Sequence, residues 1–306
     1  MEDLKIYKNI VVSNPVMIAG WPGMGNVALG AVDYLKNTLK AERFAEITVD
    51  PLTILDSVVV EEGLAKLPPG PQNTFYYAKK QDLIIFEGEA QIHGQAGIEI
   101  LRKVLNVAAQ FKVKRIYTGA AFPLPVSHKE LPEVYGAVNE NSLKAVLNRF
   151  GITAMDSGHI SGLNGLMLGF AHEKKIEAIC LLATMPQYAI SLPNPKASGA
   201  IIETLERMVN FNVDLKGLSD YIKDMDEKMA VIEDKVKDVM TTEKEEGEGP
   251  AVDKKPPAYI MDKIEKLFRE AEADKSKAII LKKELDRWDL YKLYEDRFLD
   301  LFKNNQ

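Results

Sequence analysis

Eight short apolar runs, separated by turns and by stretches of helical periodicity, fill the first 214 residues and limit the folds open to this chain. Residues 15–19, 46–49, 57–60, 74–77, 83–86, 115–118, 152–155 and 176–183 read as strands. Several lack polar alternation, as strands covered on both faces do. Helical periodicity marks 27–39, 97–111, 141–150, 163–172 and 198–209, with Asn26 and Asn139 as N-caps. The runs at 74–86 flank Lys79-Lys80-Gln81-Asp82 and predict a hairpin. The alternation as a whole predicts an α/β fold, a three-layer α/β/α sandwich on a mostly parallel sheet, with a C-terminal helical extension.

The extension is announced by charge. Residues 1–214 carry 20 Lys/Arg and 22 Asp/Glu, whereas the 92 residues from 215 onward carry 19 and 23. That density belongs to exposed helices rather than to a packed core. Domain boundaries follow: a core over 1–214, a heptad-patterned helix over 215–240, a flexible acidic linker over 241–257 and an amphipathic helical tail over 258–306. In the helix, Leu215, Leu218, Ile222, Met225, Met229, Ile232, Val236 and Val239 alternate steps of three and four, with Asp214 as N-cap. Leu218, Ile222, Met225, Met229, Ile232 and Val236 are the candidate oligomer seam; packing of the same stripe along the chain's own core is the competing reading. In the tail, Leu281, Leu285, Trp288, Tyr291, Tyr294, Phe298, Leu301 and Phe302 form an apolar, aromatic face that predicts a helical hairpin docking on a protein partner. Docking of the tail on its own core is the alternative.

The net charge of −6 and the lack of a basic run argue against nucleic acid as a partner. The acidic start and the absence of an apolar run of about 18 residues predict no membrane span and a cytoplasmic chain. One cysteine, Cys180, lies within an apolar strand, which excludes an internal disulfide and predicts a buried structural thiol.

In Gly20-Trp21-Pro22-Gly23-Met24-Gly25-Asn26, the spacing of Gly23, Gly25 and Ala28 fits a dinucleotide fingerprint, with Glu46 or Asp50 at the distance of the ribose-binding acid. Gly20-Trp21-Pro22 pushes those glycines away from the strand, and the P-loop lysine is missing. Tight turning is the plainer role of the glycines, and Trp21 then covers an apolar edge or a subunit contact. Glu87-Gly88-Glu89-Ala90-Gln91-Ile92-His93 sets two carboxylates and a histidine at a strand end, with no metal or catalytic spacing. His128, His159 and His172 stand alone. Gly162 to Gly169 places small residues for close helix packing. The expectation is no catalytic residue, no metal and no cofactor, with Gly23, Gly25, Asn26 and Glu87 as the weak candidates of an alternative nucleotide- or nucleoside-binding enzyme in which Glu89 also takes part.

Taken together, Gly20 to Ala28, Phe86-Glu87-Gly88-Glu89-Ala90-Gln91, Tyr117-Thr118-Gly119-Ala120-Ala121 and Ile160 to Leu166 resemble the archaeal proteasome-assembly-chaperone family over roughly residues 5–240. That resemblance implies a core related in fold to nucleoside phosphorylases, a homo-oligomer, binding to proteasome subunits or another protein client, and no reaction. Some members once carried an ATP-grasp-type label, although no such motif occurs here. The linker and tail are most similar to the PbaA-like branch, which implies a ring-like, five-membered core with mobile C-terminal helices. The C-terminal Phe302-Lys303-Asn304-Asn305-Gln306 departs from the hydrophobic-Tyr-x ending with which such chaperones dock into the α-ring.

Overall fold

The structure is a computed structural model that describes residues 4–48, 58–245, 258–287 and 290–302. It contains two compact units, residues 1–242 and 243–306.

The first unit opens with β1 (Leu4–Ile6), β2 (Val16–Gly20), α1 (Val27–Thr38) and β3 (Glu42–Ile47). A ribbon of β4 (Val59–Glu61) and β5 (Leu64–Lys66) precedes β6 (Asn73–Ala78), β7 (Leu83–Gly88) and α2 (Gly94–Gln110). Then come β8 (Arg115–Leu124), β9 (Val134–Val138), α3 (Lys144–Arg149), β10 (Thr153–Ala154), α4 (Gly162–Glu173), β11 (Glu177–Pro186), α5 (Pro195–Val209) and α6 (Lys216–Glu245). Nine strands form one sheet in the order β1-β3-β6-β7-β2-β8-β11-β9-β10. Its centre, β7-β2-β8-β11, is parallel. Toward β1 the pairings are antiparallel, as is β11 with β9, so the sheet is mixed around a parallel core.

Alternate residues of the central strands face opposite layers. Met17, Ala19, Ile84 and Phe86 pack with Ile100, Leu101, Val104 and Leu105 of α2 and Leu163 and Met167 of α4. Ile18, Leu83, Ile85 and Ile179 pack with Val32 and Leu35 of α1, Leu147 of α3 and Ile201, Ile202 and Leu205 of α5. Burial on both faces explains why these strands show no polar alternation. The sandwich is thus as expected, and the 74–86 hairpin is β6–β7, turned by Asp82 at φ +50°.

Several local expectations are corrected. Asn26 sits at the N-cap position of α1, but at φ +47° its side chain makes no cap bond. Asn139 caps no helix; it bonds the Ile176 carbonyl and the Ala178 N–H at 2.8 Å each and so ties the end of β9 to β11. Asn194 is the side chain that caps, accepting the Ala197 N–H at the start of α5, and Asp214 accepts the Lys216 N–H. The 57–60 run joins no core strand, because β4 pairs with β5 alone and every residue from Val58 to Leu67 is exposed. β9 has no counterpart in the sequence reading. It is short and centred on Gly136, where a Cβ would lie 2.6 Å from Leu147. α6 runs five residues into the segment expected to be a linker, whose 241–245 portion holds no glycine or proline; 246–257 lie outside the described residues.

The second unit contains α7 (Ala258–Ala273), α8 (Ala278–Arg287) and α9 (Tyr291–Asp300). Ile264, Phe268, Ala271, Ala278, Leu281, Leu285, Leu290 and Phe298 form its own core. Arg297 holds Glu265 through two bonds of 2.7 and 3.0 Å and lies over the Phe268 ring at 4.2 Å. The described tail is therefore three helices closed on one another rather than a bare hairpin.

Two buried side chains make testable statements. Cys180 is fully buried on β11, and burial pushes its thiol up to about 12. A thiol reagent added to native protein at neutral pH should label it negligibly, and denaturant should release one reactive thiol; fast labelling of the native protein would contradict the burial. Tyr77 Oη lies 2.9 Å from the Val11 carbonyl and from Asp82 Oδ1, while Asp82 also accepts the Ser13 and Asn14 N–H groups. Burial, and then the Asp82 carboxylate, push the Tyr77 hydroxyl from its ordinary 10 up to about 12. Because the folded value is raised, this stabilisation is complete below pH 10 and is lost as pH rises from 10 to 12. Urea titrations should show stability falling over that window, less steeply in Tyr77→Phe.

Candidate functional site

Ligands of open α/β sheets lie beyond the carboxyl ends of the parallel strands, where neighbouring connections diverge. Here β2 leads through α1 to β3 on one side, whereas β8 leads to β9 on the other. The glycine loop after β2 sits at that divergence.

It is pinned from several directions. The indole of Trp21 is fully buried, 4.9 Å between ring centroids from Phe86. Trp21 is therefore a core residue rather than a subunit contact. Its peptide is held by Asn164 on α4, which accepts the Trp21 N–H and donates to the Trp21 carbonyl, both at 3.0 Å. Asn164 thus does more than allow close helix packing. Gly88 at the end of β7 makes room for the indole, since a Cβ there would lie 2.3 Å from the ring. Gly25 adopts φ +62°, where a Cβ would meet Met185 Sδ at 2.8 Å. Its N–H donates to the Ile190 carbonyl at 2.9 Å, and its carbonyl accepts the Asn194 N–H at 2.7 Å. The Asn26 N–H donates to the Gly23 carbonyl. A phosphate cradle needs backbone N–H groups aimed at the ligand, and in this loop those of Gly25 and Asn26 are already engaged.

Two cavities flank the loop. One of about 460 Å³ brings together Gly25, Asn26, Glu87 and Glu89, with Tyr34 and Tyr221 on its walls. Its carboxylates are partnered: Lys36 lies 2.6 Å from Glu87 and 2.8 Å from Asp33, and Glu89 accepts the Gln72 N–H. Burial pulls the Lys36 ammonium down, but the two carboxylates outweigh it and push it up to about 12. The other cavity, of about 360 Å³, takes in Gly23, Gln91, Ala120, Ala121, His159 and Asn164. His93 lines neither; it precedes α2 and is exposed.

The sequence reading missed one polar cluster. Glu233 on α6, nearly buried, lies 2.5 Å from His128 Nδ1 and accepts from Tyr188 Oη at 2.6 Å and Ser127 Oγ at 2.9 Å. Lys196 Nζ donates to the His128 carbonyl at 2.6 Å and pairs with Asp226 at 2.7 Å. Burial, and then the bond to Glu233, raise the Tyr188 hydroxyl above its ordinary value. His128 therefore does not stand alone, nor does His172, which meets Glu140 at 3.0 Å on the surface. The partners lie up to 106 residues apart, beyond any local motif. The cluster anchors α6, whose Leu218 packs in the layer with α1 and α5 and whose Met225 and Met229 are buried. Ile222 and Ile232 are half-buried, and the side chain of Val236 lies outside the described residues.

Of the candidate partner-binding residues, Leu281, Leu285 and Phe298 are buried in the second unit, Tyr291, Tyr294 and Leu301 are half-buried, and Phe302 is exposed. Trp288 lies outside the described residues. Among the described residues, the exposed large apolar side chains of this unit are Ile279, Ile280, Leu293, Leu299 and Phe302. Among the described residues no group of three His, Cys, Asp or Glu could hold a metal ion, and no helix is long and apolar enough to cross a membrane.

These features define an α/β/α sandwich whose strand-end loops are locked by internal hydrogen bonds, followed by a separate helical unit. The PAC2 family profile matches residues 17–233, and the chain belongs to the PAC2 family. It is 26% identical over 223 residues to the uncharacterized protein MJ1210 of Methanocaldococcus jannaschii, across 71% of this chain and 82% of that one. Among solved structures, Pyrococcus furiosus PbaB, described as an archaeal proteasome activator, matches with a TM-score of 0.64 at 24% identity, over 75% of this chain and 98% of PbaB. PbaA of the same organism, described as an archaeal homolog of proteasome-assembly chaperone, matches with a TM-score of 0.59 at 23% identity, over 75% and 96%. At these identities the structural likeness establishes the fold. The family match ends at Glu233, so α7 to α9 lie beyond it.

Proposed function

We propose that the protein is a non-catalytic, homo-oligomeric chaperone or scaffold related to the proteasome-assembly chaperones, with the first unit as the assembly body and the helical tail as the arm that captures a protein client. The observation that carries this reading is the second unit: it closes a core of its own yet leaves Ile279, Ile280, Leu293, Leu299 and Phe302 exposed. A small domain with spare apolar side chains suits a docking module. The engaged amides of Gly25 and Asn26 weigh against a nucleotide cradle. Family membership and the descriptions of PbaA and PbaB support proteasome subunits as the client class. A five-membered ring follows from the resemblance alone.

Light-scattering mass, measured on the full chain and on a chain ending at Glu245, with and without archaeal proteasome α-subunits, tests this division of labour. The oligomer should persist on truncation and client binding should vanish. Retained binding without the tail would assign capture to the first unit, and loss of the oligomer would make the tail part of the assembly body.

A further inference from the structure

We propose that the cavity of about 460 Å³ lined by α1, the turn at Asn194 and the start of α6 is a binding site for arginine, either as the free amino acid or as one residue of a peptide. The inference stands on the lining of that cavity and goes beyond the chaperone reading, which needs no such ligand.

The lining carries an excess of negative charge. Asp33 on α1, Glu87 on β7 and Glu89 just after it contribute three carboxylates, and no Lys, Arg or His lines the cavity. Lys36 is one ammonium shared between Asp33 and Glu87, and Glu89 is met by the neutral N–H of Gln72. Two negative charges are thus left for a ligand to balance. A metal ion is not that ligand, since among the described residues no group of three His, Cys, Asp or Glu could hold one. An anion is disfavoured as well, because the Gly25 and Asn26 amides are already engaged by the Ile190 and Gly23 carbonyls.

A second observation does not depend on the carboxylates. Asn194, in the wall of the cavity, is only 4% exposed. Its Oδ1 accepts the Ala197 N–H at 2.9 Å, which fixes the orientation of the amide, and its Nδ2 has no hydrogen-bond partner among the described residues. A buried donor left unmet is costly, so the ligand has to bring an acceptor as well as a positive charge. The walls narrow the choice of cation. Tyr34, held by its hydroxyl bond to the Asp214 carbonyl at 2.6 Å, and Tyr221 on α6 supply aromatic rings. A planar guanidinium stacks on such rings and forks onto carboxylates, whereas an ammonium is more strongly hydrated. Leu29 and Leu218 offer apolar surface to an aliphatic stem. A guanidinium, an aliphatic stem and a carboxylate or peptide carbonyl together make arginine, and the volume lies in the range of small-molecule sites.

The test is isothermal titration calorimetry of the full chain with free arginine and with a capped tripeptide that has arginine at its centre. Binding of the free amino acid alone assigns a small-molecule ligand, and binding of the peptide alone assigns a protein-borne side chain; either one, or both, supports the site. Citrulline, whose ureido group is neutral, should bind at least about tenfold more weakly than arginine. Glu89→Gln and Tyr221→Ala change exposed side chains and should leave thermal melts as they are, yet each should weaken binding about threefold to fivefold, and added salt should weaken it further. No binding of either ligand at millimolar concentration overturns the proposal. So does binding that citrulline matches, or that neither substitution changes.

Discussion

Trp21→Ala is expected to lower the stability of the first unit by about 3–5 kcal/mol, the usual cost of truncating a large buried aromatic. The indole is completely buried and begins a run of ring contacts through Phe86 and Phe75 to Phe44, at 4.9, 4.8 and 5.9 Å. Removing it leaves a cavity where two loops meet, and Gly88 offers no side chain to fill it. Trp21→Phe separates volume from polarity. Among the described residues, Trp21 Nε1 and Asn73 Oδ1 are buried without hydrogen-bond partners, so the phenyl variant removes an unsatisfied donor and keeps most of the apolar contact. Its cost should stay below about 1.5 kcal/mol. Urea titration of the three proteins checks both values, and equal losses for Phe and Ala would show that a phenyl ring cannot take up the packing of the indole.

Glu233→Ala should cost about 2 kcal/mol, because it strands the buried His128 Nδ1 and removes the acceptor of the half-buried Tyr188 Oη and Ser127 Oγ. The damage should be local. Hydrogen exchange should accelerate along α6 near residues 225–235 and at 127–128, while the amides of β2, β7 and β8 keep their protection. Uniform acceleration across the sheet would mean that α6 and the sandwich unfold together. The helix is the last element of the first unit before the chain enters the second.

The sandwich was legible because double burial removes polar alternation from β2, β7, β8 and β11, and because α1, α2 and α5 show their apolar stripes directly. β9 was not, and of the β4–β5 ribbon only the β4 run was, without its separation from the core sheet. The first is a five-residue strand around a glycine, recruited by pairing with β11, and the second has core-like composition but no core to join. Of the candidate site, Gly25, Asn26, Glu87 and Glu89 could be picked from local motifs, and they do share one cavity. Their availability could not be read, because hydrogen-bond partners such as Ile190, Asn194, Lys36 and Gln72 come from other segments. The heptad stripe of α6 was plain in the sequence, but a stripe does not say what it covers. Its burial beside the His128–Glu233 cluster is a property of the folded unit.

Local periodicity and charge density, set by which side chains tolerate water on each face of a helix or strand, determined the α/β/α class and the change of character near Asp214. The partners of each polar group and apolar stripe were decided only by tertiary structure, since contacts between residues a hundred positions apart depend on how the layers close.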